Sequence, residues 1–426
     1  MNKKQLYLLL LISLLLCLLT GCQQAPRPEP IQITLMHGWG GVGADHVAMR
    51  KIYEDFNALN PDIDLVYDAS PDSSVVMEKA MNMLALDEMP DIISTNGNGQ
   101  FVSGAVRKGL ALDLMPFLQE DSSFASCVSE QTLRTWQTDT GALYTLPDAR
   151  EIAGYWYNED ILLAAGIITH PASWDDFWDC LDKINTWSKE NGMDILPIHL
   201  NESQASLLLG AILASKSPEG EAYMQGEREW CNPELWGETL RDVAKAYLYG
   251  EGSVPSDNDA REKFFEGKTA FYLNGVWANI SLEQTQNQQI IKCAAYPGGK
   301  GKTIAYITPS SGYVVGNTGS QEKIKACVRF VKYMLSEDVQ RRIVSETQQA
   351  PSNPNVDTVW ITSQVPVLGQ ALANCYAADV HIINFPTLLD EKANLALGAY
   401  LADPSPSAQD TDLLQSILTQ SPSERQ

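Results

Sequence analysis

The chain has 426 residues, with 30 Lys and Arg against 53 Asp and Glu, a net charge of −23 and a pI near 4.5. At roughly 150 residues per domain this length points to two or three domains, and a hydrophobic fraction of 44% with 19% charged residues excludes a disordered chain. The acidic balance excludes duplex DNA or a bare anionic membrane as a partner, since both require basic patches, and a mean hydropathy of −0.17 excludes a polytopic membrane protein.

At the start of the chain, Lys3 and Lys4 precede the run Leu6–Leu19, which is apolar except for Ser13. That run is too short to cross a ~30 Å hydrocarbon core as a helix, and a charged start before a short apolar region is the layout of a secretory signal. It ends in Leu19-Thr20-Gly21-Cys22, which resembles the bacterial lipobox. Residues 1–21 are therefore expected to be a lipoprotein signal peptide, with Cys22 acylated and residues 22–30 forming a Pro-rich tether of ~25 Å. The alternative is an ordinary signal with an incidental Cys. The lipoprotein reading places a globule outside the cytoplasm, at the outer face of the cytoplasmic membrane and held there only by its lipid.

The next elements alternate. Ile31–Met36 reads as a strand, His37–Gly43 as a Gly-rich turn, and Asp45–Leu59 as a helix with Met49, Ile52, Phe56 and Leu59 on one face. Strand Ile63–Tyr67, helix Val75–Leu86 and strand Asp91–Ser94 follow, the last running into the polar loop Thr95–Gln100. A β-α-β-α-β order implies a parallel sheet flanked by helices, with ligands expected beyond the carboxyl ends of its strands. Further along, Ile152–Tyr157 reads as an aromatic-rich strand and Ser173 with Asp176 as a capping box opening the helix Trp174–Glu190. Helices are expected at Leu207–Ala214, Trp236–Tyr247, Ser320–Leu335 and Asp338–Thr347, and strands at Leu196–Leu200, Ile291–Ala295 and Ala305–Ile307. The tail 402–426 is rich in Ser, Pro, Gln and Asp, with one short amphipathic piece.

Few motifs carry chemistry. Gly38-Trp39-Gly40-Gly41-Val42-Gly43 matches GxGxxG after a strand and before a helix, and Asp68 ends the next strand. That context suits a dinucleotide fingerprint, yet Trp39 stands where a backbone should approach a pyrophosphate, and any strand-to-helix turn favours glycines. There is no GxSxG, SxxK or phosphate loop, and a glycosidase carboxylate pair is not visible in sequence. Cys127, Cys180, Cys231, Cys293, Cys327 and Cys375 are scattered without a CxxC, and the five His are dispersed without an HExxH, so neither a metal nor a cofactor is expected. Export permits disulfides, but spacing names no partners, and the thiols read mostly as buried.

Several segments in order carry a resemblance: FNALNPDI (Phe56–Ile63), PDIISTNGNGQ (Pro90–Gln100), GALYTLP (Gly141–Pro147), AREIAGYWYNEDILLAAGIITHP (Ala149–Pro171) with ASWDDF after it, FFEGKTAFYLNGVW (Phe264–Trp277) and QQAPSNPNV (Gln348–Val356). Together they resemble the extracellular solute-binding proteins of the sugar type, receptors of ABC importers that include the maltose-binding proteins. The resemblance implies an α/β, two-lobed periplasmic-binding-protein-like fold, each lobe a sheet flanked by helices, with hinge crossovers between the lobes. Residues 31–148 and 291–310 are expected to form the N-terminal lobe, and 149–290 and 311–401 the C-terminal lobe.

The same resemblance nominates contacts for a small molecule, a sugar or oligosaccharide. These are His37 and Trp39 after the first strand, Asn96 and Asn98 after the third, Glu151 after the crossover, Glu202 after the fifth, Trp277 at the stacking position and Trp360 capping the cleft. Pyranose faces stack on indoles while hydroxyls need acceptors and amides, and an uncharged ligand suits such a set. Each residue also has a plainer reading: Trp39 and Trp277 as core, Asn96 and Asn98 as turn formers beside Gly97 and Gly99, and His37 as a turn histidine. Thr95 stands where the maltose type has an aromatic. The implied partners are ABC permease subunits, the implied state a monomer, and no catalysis is expected. The rivals are a receptor for a polyamine or polyol phosphate, or a secreted glycosidase or dehydrogenase.

Overall fold

The computed structural model describes residues 29–383 apart from 72, 96–98, 229–230, 251–256 and 283–289. The signal, lipidation and tail expectations lie outside the described residues.

The alternating start folds as its pattern dictates. Strand β1 (Ile31–His37) lies between β2 (Ile63–Ala69) and β3 (Ile92–Ser94), parallel to both, with Ile31 opposite Ile63 and Leu35 opposite Ile92. Helix α1 (Ala44–Leu59) buries Met49, Ile52, Tyr53 and Phe56, whereas Leu59 at its end is 69% exposed. Helix α2 (Ser73–Ala85) packs on β1 and on α3 (Gly99–Arg107). Residues 99–100, read as loop, are the first turn of α3; it buries Phe101, Val102 and Ala105.

The chain then leaves this sheet. Residues 150–158 are two strands rather than one, β4 (Arg150–Ala153) and β5 (Tyr155–Asn158), and they belong to different sheets. The break is Gly154, where a Cβ would lie 2.2 Å from the Ala294 carbonyl oxygen, so only a glycine lets the backbone come so close as it changes sheet. The second four-stranded sheet has the order β6 (Leu196–Ile198), β7 (Thr269–Tyr272), β5, β8 (Ile291–Ala294). In the third, β10 (Thr303–Pro309) runs antiparallel to β4 and to the short β9 (Tyr296–Pro297) and parallel to β12 (Val380–Ile382). Helix α4 (Trp174–Glu190) packs on β6. Its Ser173 cap accepts from the Asp176 amide at 3.1 Å, and its hydroxyl donates to the Asp176 carboxylate at 2.8 Å, where a full capping box would have that carboxylate accept from the Ser173 amide. Helix α5 (Glu202–Lys216), apolar from Leu207 to Ala214, belongs to this core, with Leu207, Leu208, Leu209, Ile212 and Leu213 all buried.

Strand β11 (Tyr313–Val315) returns to the first sheet, antiparallel to β3, and helices α6 (Gln321–Leu335) and α7 (Glu337–Thr347) close that lobe's core through Phe330, Val331 and Ile343. Two further helices, α8 (Thr358–Gln364) and α9 (Pro366–Tyr376), pack in the second lobe. The result is a two-lobed α/β fold. Pairing reverses the expected assignment of two segments: 291–309 pairs with β4 and β5 in the second lobe, while 313–347 completes the first. The reason is that β10 and β11, separated only by Ser310–Gly312, continue on opposite sides of the crossover, which no local pattern marks.

Candidate functional site

The lobes meet where the chain crosses between them three times. Leu146 bridges Tyr313 with amide-to-carbonyl bonds in both directions, the Ser310 amide donates to the Ala149 carbonyl, and Ala149 bridges Pro351. Gly312 takes φ +23°, and a Cβ there would lie 2.2 Å from the Leu146 carbonyl oxygen, so the crossing strands touch backbone to backbone.

Buried polar side chains tie these strands together. The Ser94 hydroxyl at the end of β3 donates to the Asp148 carboxylate at 2.9 Å. Thr95, fully buried, donates from Oγ1 to the Gly312 carbonyl at 2.9 Å and shares a hydrogen bond with Ser311 Oγ. Thr145 donates to the Ser311 carbonyl. Gln340 donates to the Asp148 carbonyl at 3.2 Å and accepts from the Ser352 amide at 2.7 Å, joining the first crossing to the third. Sequence reading missed Ser94, Asp148, Ser311 and Gln340; the first three are short polar residues in or beside strands, and Gln340 is a polar residue inside helix α7, so none carries a periodic signal.

Glu151 lies on β4 opposite Thr308 and is partly exposed. Burial pushes its carboxyl up to about 7, the nearby Asp148 charge adds to the rise, and a hydrogen bond with Ser310 opposes it. Burial likewise raises the Asp148 carboxyl, against the hydrogen bonds it accepts. Ala153 on the same strand bridges Gly275, so the turn Val276–Ala278, which carries Trp277, packs against β4. The Trp277 indole lies across Gly275, where a Cβ would fall 2.0 Å from Cζ3, and it stays 36% exposed while Trp156 beside it is wholly buried and donates to the Gly275 carbonyl. Trp277 and Glu151 thus stand on two elements that pack together beside the crossover.

The other nominated residues separate. His37 is fully buried, packed 5.1 Å from the Tyr53 ring, and its Nδ1 accepts from the Trp39 amide at 3.0 Å. Burial first, then the Arg50 charge, lowers its pKa to about 4. It braces the turn and offers no surface to a ligand, which corrects its nomination. Trp39 is partly exposed, edge-on to His46 at 5.3 Å. Trp360 on α8 has the Arg341 guanidinium 4.4 Å over its ring, so that face is already covered and not free to cap a sugar. Glu202 is the first residue of α5, capped by Asn201, and its side chain falls outside the described part, as do Asn96 and Asn98 entirely. Trp174 and Trp178 pack on the second-lobe core, as does Trp187.

The glycine turn does not fit a dinucleotide. The Trp39 amide is taken by His37, the Gly40 amide by the Ser70 carbonyl at 2.7 Å, and the Gly41 amide by His46 at 2.9 Å. Arg50 in turn holds the Trp39 and Gly41 carbonyls. Amides already paired cannot cradle a pyrophosphate, and Asp45 in the first helical turn would repel one. Among the described residues no cluster of His, Cys, Asp and Glu could hold a metal.

The sequence profile of the bacterial extracellular solute-binding proteins matches residues 51–367. The chain belongs to that family. Members are binding proteins that act outside the cytoplasm. No curated protein matches the chain. Among solved structures, it is similar to a Streptococcus pneumoniae solute-binding protein in complex with the blood group A-trisaccharide, at 23% identity and a TM-score of 0.76 over 91% of this chain and 97% of that one. It is also similar to a chitin oligosaccharide binding protein (18%, TM-score 0.74, 91% and 97%) and to maltose-bound T. maritima MalE3 (17%, TM-score 0.71, 91% and 99%). These likenesses establish the two-lobed fold of this solute-binding protein over nearly all of its described length.

Proposed function

We propose that this solute-binding protein is the lipid-anchored receptor of an ABC importer, capturing an uncharged sugar or oligosaccharide between two closing lobes and handing it to permease subunits, without catalysis. The observation that carries the reading is the exposed Trp277 indole beside the lobe crossover, on a turn that packs against β4, the strand that carries Glu151. An indole face takes the CH face of a pyranose, and a carboxyl beside it takes two hydroxyls. Neighbours of the same fold hold the blood group A-trisaccharide and maltose, which supports a saccharide over a phosphorylated polyol.

Calorimetry against chitin oligosaccharides, maltotriose and the blood group A-trisaccharide, with spermidine and glycerol phosphate as controls, tests the ligand class. Binding of a neutral saccharide supports the reading, and binding confined to the charged controls overturns it. Membrane attachment is tested separately: a Cys22→Ser chain should be released as soluble protein, because an acidic globule on a Pro-rich tether has no other affinity for a bilayer. Tight membrane binding by that variant would refute the lipid anchor.

A further inference from the structure

All six cysteines of the described residues are present as buried free thiols, and the Cys293 thiol is in contact with that of Cys375. Cys293 lies on β8, and Cys375 on α9, which packs directly on that strand. Asn374, the residue before Cys375, donates from Nδ2 to the Cys293 carbonyl at 2.7 Å, which fixes the helix in register with the strand. The Gly154 break approaches the same spot: a Cβ there would lie 3.3 Å from Cys375 Sγ and 2.2 Å from the Ala294 oxygen, so the sulfur sits against the strand carrying Cys293. The other thiols have different neighbours. Cys127 donates to the Ser123 carbonyl at 3.3 Å, and charged side chains rather than a second sulfur stand near Cys180, Cys231 and Cys327.

We infer that Cys293 and Cys375 are joined by a disulfide in the mature protein outside the cell, and that this bond clamps α9 onto the second-lobe sheet. The pairing rests on the extracellular location of the family, where thiols meet oxidants, and not on the identity of the ligand. The oxidant is a disulfide-bearing thiol oxidoreductase or a low-molecular disulfide. One cysteine thiolate attacks an oxidant sulfur and releases one thiol, giving a mixed disulfide. The second thiolate displaces the other, so two S–H bonds are lost, one S–S bond forms, and the oxidant's disulfide is reduced to two thiols.

The order of events follows from the packing. Contact with the Cys375 thiol and complete burial hold the Cys293 thiol well above the ordinary thiol range, and both side chains are buried, so an outside oxidant does not reach the pair once α9 has docked. Oxidation belongs to the folding chain, and the finished bond is shielded from external reductants. The loop it closes spans residues 293–375 and includes the segment that crosses from the first lobe into the second, so the bond removes unfolded-state freedom from that late-arriving part of the chain.

The test is refolding of the reduced, denatured mature chain in an oxidising glutathione buffer, followed by alkylation in denaturant without reductant and peptide mass mapping. With Cys22 blocked by its lipid, the expected result is a Cys293–Cys375 linked peptide, a chain lighter by two hydrogens, four alkylated thiols (Cys127, Cys180, Cys231 and Cys327), and a Tm at least about 5 °C above that of the Cys293→Ala, Cys375→Ala chain. Alkylation of both cysteines in the folded fraction, or linkage of either one to another cysteine, overturns the inference. A variant with the other four cysteines replaced by alanine repeats the mapping without competing thiols, and the same two results read the same way there. Saccharide binding is not a readout, so a failed ligand proposal leaves this outcome intact.

Discussion

The Ser94 hydroxyl, at the last residue of the third strand, donates to the Asp148 carboxylate at 2.9 Å across the first crossover. This one bond joins the edge of the first-lobe sheet to the strand that leads into the second lobe, and Gln340 holds the same strand through the Asp148 carbonyl. The crossover is therefore braced from inside by buried polar groups whose partners lie on segments far apart in sequence.

Removing the acceptor should be costly. Asp148→Ala removes the acceptor of the Ser94 hydroxyl in a buried site and should destabilise the ligand-free protein by about 1–3 kcal/mol. Asp148→Asn, which keeps the shape and an acceptor, should cost less, because burial already disfavours the charge. Thermal melts of both variants check the ranking, and equal losses would argue against it.

The pH dependence has a definite sign. Glu151 titrates at about 7 in the folded chain against 4.5 for an ordinary glutamate, so the folded state keeps its proton where the unfolded state has lost it. The unfolded state then binds fewer protons between about pH 4.5 and about pH 7, and this group's contribution makes stability fall as pH rises through that window. The raised Asp148 pKa acts in the same direction. Glu151→Gln should therefore gain Tm relative to wild type at pH 7.5 and show little gain at pH 4. A difference between the two proteins that does not vary with pH would contradict the assignment.

Gly275 offers a test of the indole's placement. Its backbone, at φ −77° and ψ 172°, is open to any residue, but an added Cβ would fall 2.0 Å from the Trp277 ring. Gly275→Ala should thus push the indole aside without straining the main chain, and weaken ligand binding by about tenfold or more. Unchanged affinity would mean that the ring position is immaterial to recognition.

Lobe closure is the motion expected of two lobes linked by short crossovers. Small-angle scattering of the protein saturated with a bound saccharide should give a smaller radius of gyration than the free protein. An equal radius would point to a cleft that is already closed.

What the sequence made legible follows a physical division. The first sheet was readable because its strands alternate with amphipathic helices, and Met49, Ile52 and Phe56 are buried where period predicts. The exchange of the 291–310 and 311–347 segments was not, because strand pairing is long-range and Ser310–Gly312 looks like any short loop. Strand β7, buried at all four positions, shows no alternation to read. At the site, Trp277 and Glu151 came from resemblance, and they lie on a turn and a strand that pack together. His37 and Trp360 carry the right chemistry but are spoken for, one by burial and one by Arg341, and residue type alone does not reveal a prior partner.

The central claim is that Trp277 is a platform for a sugar ring, and the direct measurement is calorimetric titration of one neutral oligosaccharide into wild-type protein and into Trp277→Ala, with the Tm of each ligand-free protein recorded. The account predicts that the variant binds about 30- to 1,000-fold more weakly, equivalent to about 2–4 kcal/mol, while its ligand-free Tm stays close to wild type because the indole is already part-exposed. A strongly lowered Tm with wild-type affinity in the folded fraction would contradict it, showing that Trp277 packs the fold and does not recognise the ligand.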